Sequence, residues 1–532
     1  MQKKIQIKIP TIEASNERLI RGLLAQEAGC SENSITGFHF LKRSFDARSK
    51  YPQILLTASV YIDEPYQVRA LFQQSIKDVS RAHKSVLIIG AGPAGLFAAL
   101  SLIRSGIRPI ILERGKDIRA RRRDLAKLNK EGIINPESNY CFGEGGAGTY
   151  SDGKLYTRSN KRGNIQRILD LFVRFGAEEN ILFEAHPHIG TNKLPGIINA
   201  IRDYILNCGG EIHFNKKMTG WSEYRERISE IQAEDGDRFH PNAVILATGH
   251  SARDIFKLLQ EKNKEIHAKP FALGLRVEHP QELINSIQYH YIREQGPRVA
   301  GLPPAAYQLV HTENSRSVFS FCMCPGGIIA PASTNNGELV VNGWSPSKRN
   351  NPFANSGIVV NIEEKDWQAY TDHGPLAAMY FQSAIEQKAF SLGGGLFKAP
   401  GQRMTDFAKG LISGSLPACS YTPGVVSADT NSLFPTEIGR GLQNAFPAFG
   451  KKMKGYFTQE AILVATESRT SSPVRIPRDE DTLVHPQLKN LYPCGEGAGY
   501  AGGIMSAAMD GERVAEKIAE IFSSKSIIHV NA

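Results

Sequence analysis

The clearest pattern of apolar positions begins at residue 85. Val86 to Ile89 is a run of four apolar, mostly β-branched residues, which predicts a buried parallel strand. Ala94 to Ile103 is rich in Ala and Leu and predicts the helix that follows. Ile107 to Leu112 predicts a second strand. The order strand, helix, strand is typical of the start of a doubly wound α/β fold.

The turn between the first strand and the helix has G-x-G-x-x-G spacing at Gly90, Gly92 and Gly95. The first glycine permits the tight turn, the second lets a pyrophosphate approach the backbone, and the third lets the helix pack close to the sheet. The helix N-terminus then offers unpaired N–H groups and partial positive charge to phosphates. A purely structural turn is the alternative interpretation. The spacing predicts a dinucleotide-binding turn.

An acidic residue closes the second predicted strand. Glu113 lies 18 residues after Gly95, where a carboxylate can accept hydrogen bonds from a ribose 2′-hydroxyl. The same acid disfavours a 2′-phosphate. The site is therefore predicted to bind FAD or NAD rather than NADP.

Residues 1–82 precede this fold and predict a small α/β domain of their own. Ile5 to Ile9 and Ile54 to Ile62 alternate as strands, and Asn16 to Ala28 has helical spacing. The basic segment 42–48 is interpreted as a charged hairpin face, with a contact surface for an anionic partner as the alternative.

Two further stretches of the predicted FAD-binding part, 83–265, bear on the cofactor. Arginines at 119–123 either reach back to the phosphates or form a solvated helix face. The segment 142–154 holds five glycines in thirteen residues, which excludes a stable helix. We predict that it is a loop covering the cofactor, with a surface turn cluster as the alternative.

The remainder of 83–265 is predicted to complete the sheet. Asn164 to Phe175 and Gly196 to Cys208 predict helices, and 210–215 predicts a strand. Residues 228–240 predict a β-meander, and 243–249 a short strand that ends in Ala-Thr-Gly. Small residues there would let the chain turn beside a nucleotide.

Residues 266–480 predict a mainly β substrate domain with some helix. Val318 to Phe321 and Glu338 to Val341 are its expected short strands. As alternating strand residues, Cys322 and Cys324 would face the same side. They could be a redox pair or a metal site, and the favoured interpretation is that they are buried small side chains. Since no second Cys or His pair has ligand spacing, zinc is excluded and no metal is predicted.

The C-terminal stretch 481–532 returns to the nucleotide-binding pattern. A strand near Leu491 leads to Gly495 and Glu496, then to a glycine loop and a helix over 504–521. We expect the acid to bind a ribityl hydroxyl. The helix start would face the flavin, where a helix terminus contributes about 0.3–2 kcal/mol to an anion. The FAD-binding domain is therefore predicted to be split in sequence.

Composition narrows the class without identifying a substrate. Charged residues make up 22% and apolar residues 41% of 532, which predicts a globular chain. No long apolar run and no signal-like start is present, and the seven cysteines are scattered. We therefore expect a cytoplasmic protein with no membrane span. The net charge of +10 is interpreted as solubility charge or, alternatively, as a surface for an anionic partner.

Three motifs together resemble a known family. They are FGEGGAGTYSDGK at 142–154, CMCPGG at 322–327 and ESRTSSPVR at 467–475. They look like a bacterial family of uncharacterised FAD-dependent dehydrogenases, and the resemblance covers most of the chain. It implies FAD, a glutathione-reductase-like fold and a preceding small α/β domain, with no settled substrate. Ser468 stands where the family motif is expected to have Thr.

The predicted function is an FAD-dependent oxidoreductase of unknown substrate that transfers hydride or electrons. Only one clear G-x-G-x-x-G occurs. NADH or NADPH, if used, would therefore bind transiently over the flavin face; the alternative is that the substrate itself is oxidised or reduced directly. A flavin-dependent RNA-modifying enzyme and a non-catalytic FAD-binding protein are the alternatives. No catalytic residue is assigned; the candidate proton donors are Asp152, Lys154 and His250. The predicted cofactor-binding residues are Gly90, Ala91, Gly92, Pro93, Ala94, Gly95, Glu113, Arg114, Arg121, Gly146, Thr149, Met218, Ala247, Thr248, Gly249, Gly495, Glu496, Gly503 and Ile504.

Overall fold

A computed structural model describes residues 1–48, 51–156, 163–297, 299–313 and 315–530, with the backbone alone over 525–530. Across these residues, no helix combines the length and the apolar content needed to cross a bilayer. All seven cysteines are free thiols.

The N-terminal module confirms the predicted strands and helix and adds one strand. Its elements are β1 (Gln2–Pro10), α1 (Glu17–Ala28), β2 (Ile35–Asp46) and β3 (Gln53–Ile62). The antiparallel sheet has the order β1-β3-β2. Alternate residues of β1 and β3 are buried in a core shared with α1, as a period of two requires on a sheet with one covered face.

The basic segment 42–48 forms the end of β2 and attaches the module to the rest of the chain. The Arg43 backbone N–H donates to the Phe183 carbonyl, and its guanidinium pairs with Glu184. Phe45 packs edge-on against Tyr289. At these residues the segment is therefore an internal contact.

The next part of the chain holds a central sheet, a small meander and five helices. The elements are β4 (Ser85–Ile89), α2 (Pro93–Arg104), β5 (Arg108–Leu112), α3 (Ile118–Glu131), α4 (Ile165–Arg174), α5 (Leu194–Asn207), β6 (Glu211–His213), β7 (Met218–Tyr224), β8 (Arg227–Ala233), β9 (Arg238–Phe239), β10 (Ala243–Leu246) and α6 (Arg253–Glu261). Strands β8 and β9 form the predicted part of an antiparallel meander, to which the structure adds β7.

The remaining elements build the second large sheet and close the chain. They are β11 (His267–Ala268), β12 (Phe271–Pro280), α7 (Gln281–Gln288), β13 (Val310–Glu313), β14 (Arg316–Cys324), β15 (Ile328–Pro331), β16 (Val341–Trp344), β17 (Phe353–Ile362), α8 (Ala377–Leu392), β18 (Ala399–Arg403), α9 (Met404–Ala408), β19 (Val425–Ser427), α10 (Thr436–Lys452), β20 (Ile462–Glu467), β21 (Val474–Arg475), β22 (Leu491–Pro493) and α11 (Ile504–Val530).

The predicted split of the nucleotide-binding sheet is present. Five strands run parallel in the order β22-β10-β4-β5-β6, so the last strand of the chain pairs with β10. Helix α11 packs on α2, and a Cβ at Gly511 would lie only 2.0 Å from the Ala94 carbonyl oxygen. The strand order places β5 and β6 on one side of β4 and β10 on the other, which creates a topological switch point at β4.

The second sheet has seven strands in the order β13-β14-β17-β12-β20-β18-β19. The predicted strand at 338–341 is wrong, because β16 begins only at Val341. Leu339 and Val340 are apolar and fully buried, but their N–H groups donate to the Glu386 carbonyl and the Ser333 hydroxyl. Two adjacent apolar residues resemble a strand in sequence, but these two make no backbone hydrogen bonds to a neighbouring strand through their N–H groups.

A buried carboxyl on β12 predicts a pH-dependent stability. Burial raises the pKa of Glu278 from 4.5 to about 7, against the hydrogen bonds from Ser420 that lower it. Because the folded pKa is the higher one, this stabilisation is complete below pH 4.5 and is lost as pH rises through 7, by about 3 kcal/mol. We expect Glu278→Gln to flatten the fall in urea-unfolding free energy between pH 4.5 and 7.5. Parallel profiles of the two proteins would contradict this.

Candidate functional site

A cavity of about 310 Å³ opens at the carboxyl ends of β4 and β10, where the switch point of the sheet is expected to bind a ligand. Most predicted cofactor residues line it. They are Gly90, Gly92, Pro93, Ala94, Glu113, Arg114, Gly146, Met218, Ala247, Thr248, Gly249, Glu496, Gly503 and Ile504. The three candidate proton donors, Asp152, Lys154 and His250, line it as well.

The glycine turn has the geometry that its spacing predicts. Gly90 has a φ of +106°, a conformation that residues with side chains rarely adopt, and a Cβ there would lie 2.5 Å from the Ala247 carbonyl oxygen. A Cβ at Gly95 would lie 2.0 Å from the Gly90 carbonyl oxygen. Both glycines are therefore required by the protein itself, and Gly95 does not line the cavity.

Gly92 is required for a different reason. It is the N-cap of α2, where no side chain caps the first turn. A Cβ there would meet only the Gly146 Cα, at 3.9 Å. The space beside Gly92 therefore belongs to the cavity, and the free N–H groups of the helix start open into it. This arrangement fits the pyrophosphate of a dinucleotide.

Glu113 is buried at the end of β5 and holds the surrounding backbone. Its two oxygens accept hydrogen bonds from the N–H groups of Ala91, Gly115 and Gly143, each at 2.9 Å. These bonds draw the glycine turn and the loop after residue 142 to one carboxylate. Ala91 does not line the cavity. The predicted ribose contact of Glu113 stays a prediction.

The glycine-rich segment 142–154 is the loop expected over the cavity. Gly143, Gly145 and Gly146 all have positive φ, and Gly146 lies against Gly92, with 3.0 Å between a Cβ at Gly146 and the Gly92 Cα. The Gly145 N–H donates to the Ala91 carbonyl at 2.9 Å. The loop is thus seated directly on the dinucleotide turn.

Arg121 stands outside the lining, in contrast to its predicted contact with the cofactor. Its fully buried guanidinium donates to the carbonyls of Asn139, Tyr140, Glu144 and Gly146. Thr149 is also buried outside the lining and donates to the Glu144 carbonyl. Both residues shape the glycine loop from behind. Helical spacing placed the arginine on the correct face, but the loop carbonyls meet it before any phosphate could.

Arg114 and Gly495 also differ from simple ligand contacts. Arg114 lines the cavity, but its guanidinium pairs with Asp254 at 2.8 Å and with Glu137 at 2.6 Å. Gly495 lies below the lining, where its N–H donates to Asp510. The positive charge of Arg114 is therefore already paired with two carboxylates of the protein.

The start of α11 meets the start of α2 across the loop. A Cβ at Gly148 would lie 3.2 Å from Pro93 and 3.3 Å from Ile504. Glu496 accepts a hydrogen bond from the Gly503 N–H, and its other oxygen lies 3.6 Å from His250 Nε2. The predicted ribityl role of Glu496 therefore competes with a contact to the helix start.

His250 is the neutral base of the cavity. Burial lowers the pKa of His250 below its ordinary value, so the imidazole is uncharged near neutral pH. Its Nδ1 is buried and makes no hydrogen bond with any described residue. The ring can therefore accept a proton or a hydrogen bond from a bound molecule.

Asp152 and Lys154 form a charged cluster at the other end of the cavity. Burial alone would raise the pKa of Asp152, but Lys154 and Arg349 hold it below its ordinary value. Burial alone would lower the pKa of Lys154, but Cys324 and Asp152 keep it raised. Both residues are therefore ionised, and the Lys154 Nζ lies 3.5 Å from Asp152 and 3.6 Å from Cys324 Sγ.

A buried ion-pair network supports the cavity wall from the second sheet. Glu386 is fully buried and accepts hydrogen bonds from Arg253, Ser468 and Arg469. Glu338 pairs with the same two arginines at 2.9 and 3.2 Å. Arg253 begins α6 and Arg469 follows β20, so the network connects the two parts of the chain that enclose the cavity.

Several lining residues were missed in the sequence. Tyr140, Asn342, Trp344 and Thr470 line the cavity together with Arg469. Arg469 and Thr470 lie within the family-like motif 467–475, which was the one sequence feature that could have indicated their place in the site. Asn342 and Trp344 lie in β16, just after the range 338–341 in which a strand was predicted, and no periodicity in the sequence marks them.

Three family models match parts of this chain. A model described as an FAD-binding domain matches residues 83–126. A model described as the C-terminal domain of an FAD-dependent protein matches residues 270–470. A domain of unknown function matches residues 1–61. The matches identify FAD as the cofactor; the glutathione-reductase-like type stays a prediction.

Similar proteins include a curated relative and several solved structures. An uncharacterised protein of Clostridium beijerinckii is 40% identical over 518 residues, 94% of this chain and 95% of the relative. The flavin-dependent brominase Bmp2, as a triple mutant, is 12% identical, with a TM-score of 0.37 over 83% of this chain and 81% of that chain. A geranylgeranyl bacteriochlorophyll reductase-like protein of Thermoplasma acidophilum is 11% identical, with a TM-score of 0.33 over 83% and 80%.

Replacing the carboxylate behind the turn should weaken FAD binding. We expect Glu113→Ala to cost about 1.5–3 kcal/mol of FAD affinity, because a charge-assisted acceptor is lost. Three backbone N–H groups also lose their acceptor, so the unfolding free energy should fall too. Fluorescence titration of the apoprotein with FAD measures the first effect. Asp170→Ala, which removes a buried carboxylate that also accepts a backbone N–H but lies outside the lining, is the matched control. Unchanged affinity in Glu113→Ala would assign that acid a structural role alone.

Proposed function

This chain belongs to the same family as the uncharacterised Clostridium beijerinckii protein, and models of FAD-dependent proteins match two parts of it, so we propose that it is an oxidoreductase acting on a small molecule. The observation that carries the proposal is the cavity between the two helix starts, which continues past them to Lys154 and Cys322. A site that only stored FAD would not need the ionised Asp152 and Lys154 or the neutral His250, which line the cavity in addition to the cofactor residues.

The residues that would hold FAD come from the dinucleotide turn, from the walls of the cavity and from the start of α11. Gly92 and the N–H groups at the start of α2 suit the pyrophosphate, and Glu113 suits the adenosine ribose. Met218 and Thr248 line the walls. The start of α11 at Ile504 provides partial positive charge for a reduced flavin. These assignments agree with the uncapped helix start and with the open space beside Gly92.

FAD, when bound, supplies acceptance and donation of a hydride or of single electrons. The protein supplies the rest of the site. The glycine loop 142–154 covers the dinucleotide turn and excludes water from that side of the cavity. Glu496, whose carboxylate lies 3.6 Å from Nε2, orients the imidazole of His250. Because His250 is neutral, lines the cavity and has an Nδ1 without a hydrogen bond to any described residue, it is the group that we propose to hold the substrate proton. Lys154 and Asp152 orient polar groups of the substrate at the far end.

The direct test is electron uptake by the purified FAD-loaded protein. We expect anaerobic mixing with NADH or NADPH to bleach the flavin and consume the nicotinamide, with Gly92→Val protein as the unloaded control. Admission of oxygen should restore the yellow form. A flavin that is reduced by light and a sacrificial donor, but by neither nicotinamide, would remove these donors from the proposal. A flavin that exchanges electrons with no small donor at all would contradict oxidoreductase function.

A further inference from the structure

Two thiols face the cavity at the end of β14. Cys322 and Cys324 both line it, Cys322 with an exposed side and Cys324 buried. They lie at the opposite end from the glycine turn, beside Lys154, Asn342 and Trp344. None of the cofactor contacts proposed above uses either sulfur.

The backbone departs from a regular strand where the two cysteines lie. From Phe321 to Cys324 the chain advances three residues, while its partner β17 advances only two, which is a β-bulge. Cys322 has a φ of +44°, and Cys324 Sγ lies 3.2 Å from the Cys322 carbonyl oxygen. In a regular strand, residues two apart are about 6.6–6.8 Å from each other, at the upper limit for a disulfide. The bulge breaks this regular spacing, and the Cys324 side chain turns back toward Cys322.

Cations surround the buried sulfur. Lys154 Nζ and an Arg276 nitrogen each lie 3.6 Å from Cys324 Sγ. Arg276 pairs with Glu467 at 2.5 Å, while Asp152 is shared between Lys154 and Arg349. Three cations thus face two carboxylates, so one positive charge has no carboxylate partner within this cluster. An unmatched positive charge beside a sulfur is typical of the surroundings of reactive cysteines.

We propose that Cys322 and Cys324 are a redox-active pair that exchanges with a small disulfide substrate entering the cavity. Burial raises the pKa of Cys322 to about 11, so its thiol loses the proton only as the sulfur attacks. Cys322 Sγ attacks one sulfur of the substrate and forms a mixed disulfide, and the first half of the substrate leaves with that proton as a thiol. The Cys324 thiolate then attacks Cys322 Sγ, which releases the second half of the substrate as a thiolate and closes the Cys322–Cys324 disulfide. The substrate gains two electrons and the pair loses two; exchange with a thiol reverses both steps. The pair goes beyond the proposed flavin function and does not depend on it.

Peptide mass mapping tests the pair on the intact FAD-loaded protein. The protein is equilibrated with glutathione and glutathione disulfide at a series of ratios, quenched with a maleimide and cut with trypsin. The expected peptide, residues 317–348, holds both cysteines and no other. We expect it to change from doubly alkylated to unalkylated and lighter by two hydrogens, with one midpoint. Double alkylation at every ratio would overturn the proposal, whatever the flavin does with nicotinamides.

Variants separate a reactive pair from two buried thiols. Cys324→Ser should trap glutathione on Cys322, whereas Cys322→Ser should trap little; Cys30→Ser in the N-terminal module is the control and should not change the midpoint. Lys154→Met should move the midpoint about tenfold toward more reducing ratios, because the thiolate loses a cation. Lys127→Met is the matched control. Equal trapping on both single variants, or an unchanged midpoint in Lys154→Met, would contradict the assigned roles.

Discussion

Gly92→Val should yield a folded but colourless protein. A Cβ at this position would touch only Gly146 Cα, at 3.9 Å, so the branched side chain extends into the cavity rather than into the protein. It would occupy the space that a pyrophosphate needs at the start of α2. We expect FAD affinity to fall more than about 100-fold, or about 3 kcal/mol. Flavin absorbance per chain after gel filtration, with circular dichroism, measures both properties.

Two other glycines serve as controls for this result. Gly95→Ala places a Cβ 2.0 Å from the Gly90 carbonyl, so it should lower the unfolding free energy whether or not FAD is present. Gly196→Ala on α5 has no atom within 4 Å of the new Cβ and should be unaffected in both respects. A yellow Gly92→Val protein with normal affinity would place the phosphates elsewhere.

Glu386→Gln should lower the unfolding free energy by about 3–5 kcal/mol, because it leaves buried arginines without their full counter-charge. Glu386 is fully buried and pairs with Arg253 and Arg469 at 2.9 Å each. Glu516 also contacts two arginines, Arg104 and Arg167, both at 2.8 Å, but its carboxylate is 41% exposed. Glu516→Gln is therefore the matched control and should cost no more than about 1 kcal/mol. Urea unfolding at pH 7 compares the two.

The same carboxylate gives a pH signature. Burial alone would raise the pKa of Glu386, but Arg253 and Arg469 lower it from 4.5 to about 2. Because the folded pKa is depressed, its contribution is complete above pH 4.5 and is lost as pH falls toward 2, by about 3 kcal/mol. The stability difference between the wild-type chain and Glu386→Gln should narrow over that interval. A difference that is constant with pH would show that the network is stabilised by packing rather than by charge.

The nucleotide-binding half could be predicted because its signals are local. Gly95 is fixed by contacts within a single β-strand, turn and helix, and Gly90 by the positive φ of that turn, so their spacing carries this part of the geometry. The close approach of Ala247 to Gly90 is the long-range part. The return of β22 to the sheet was predicted from the same kind of strand and glycine pattern. The position of Arg121 was not predictable, since helical spacing specifies a face but not which carbonyls will fold over it.

The far end of the cavity depended on long-range packing. The sequence pattern of Glu338 to Val341 predicted a strand, whereas the N–H groups of Leu339 and Val340 donate to the Glu386 carbonyl on α8 and to the Ser333 hydroxyl. Alternation placed Cys322 and Cys324 on one face of a regular strand, but the bulge against β17 exposes one thiol and buries the other. A bulge depends on the partner strand, so the pattern of β14 alone does not contain it.

The proposed function requires FAD to lie extended between the starts of α2 and α11. The most direct measurement is the flavin content of the full-length protein after purification and after reconstitution with FAD. We expect one FAD per chain, released by denaturation and absent from Gly92→Val prepared in parallel. A wild-type protein that stays colourless and takes up no FAD on reconstitution would contradict the account.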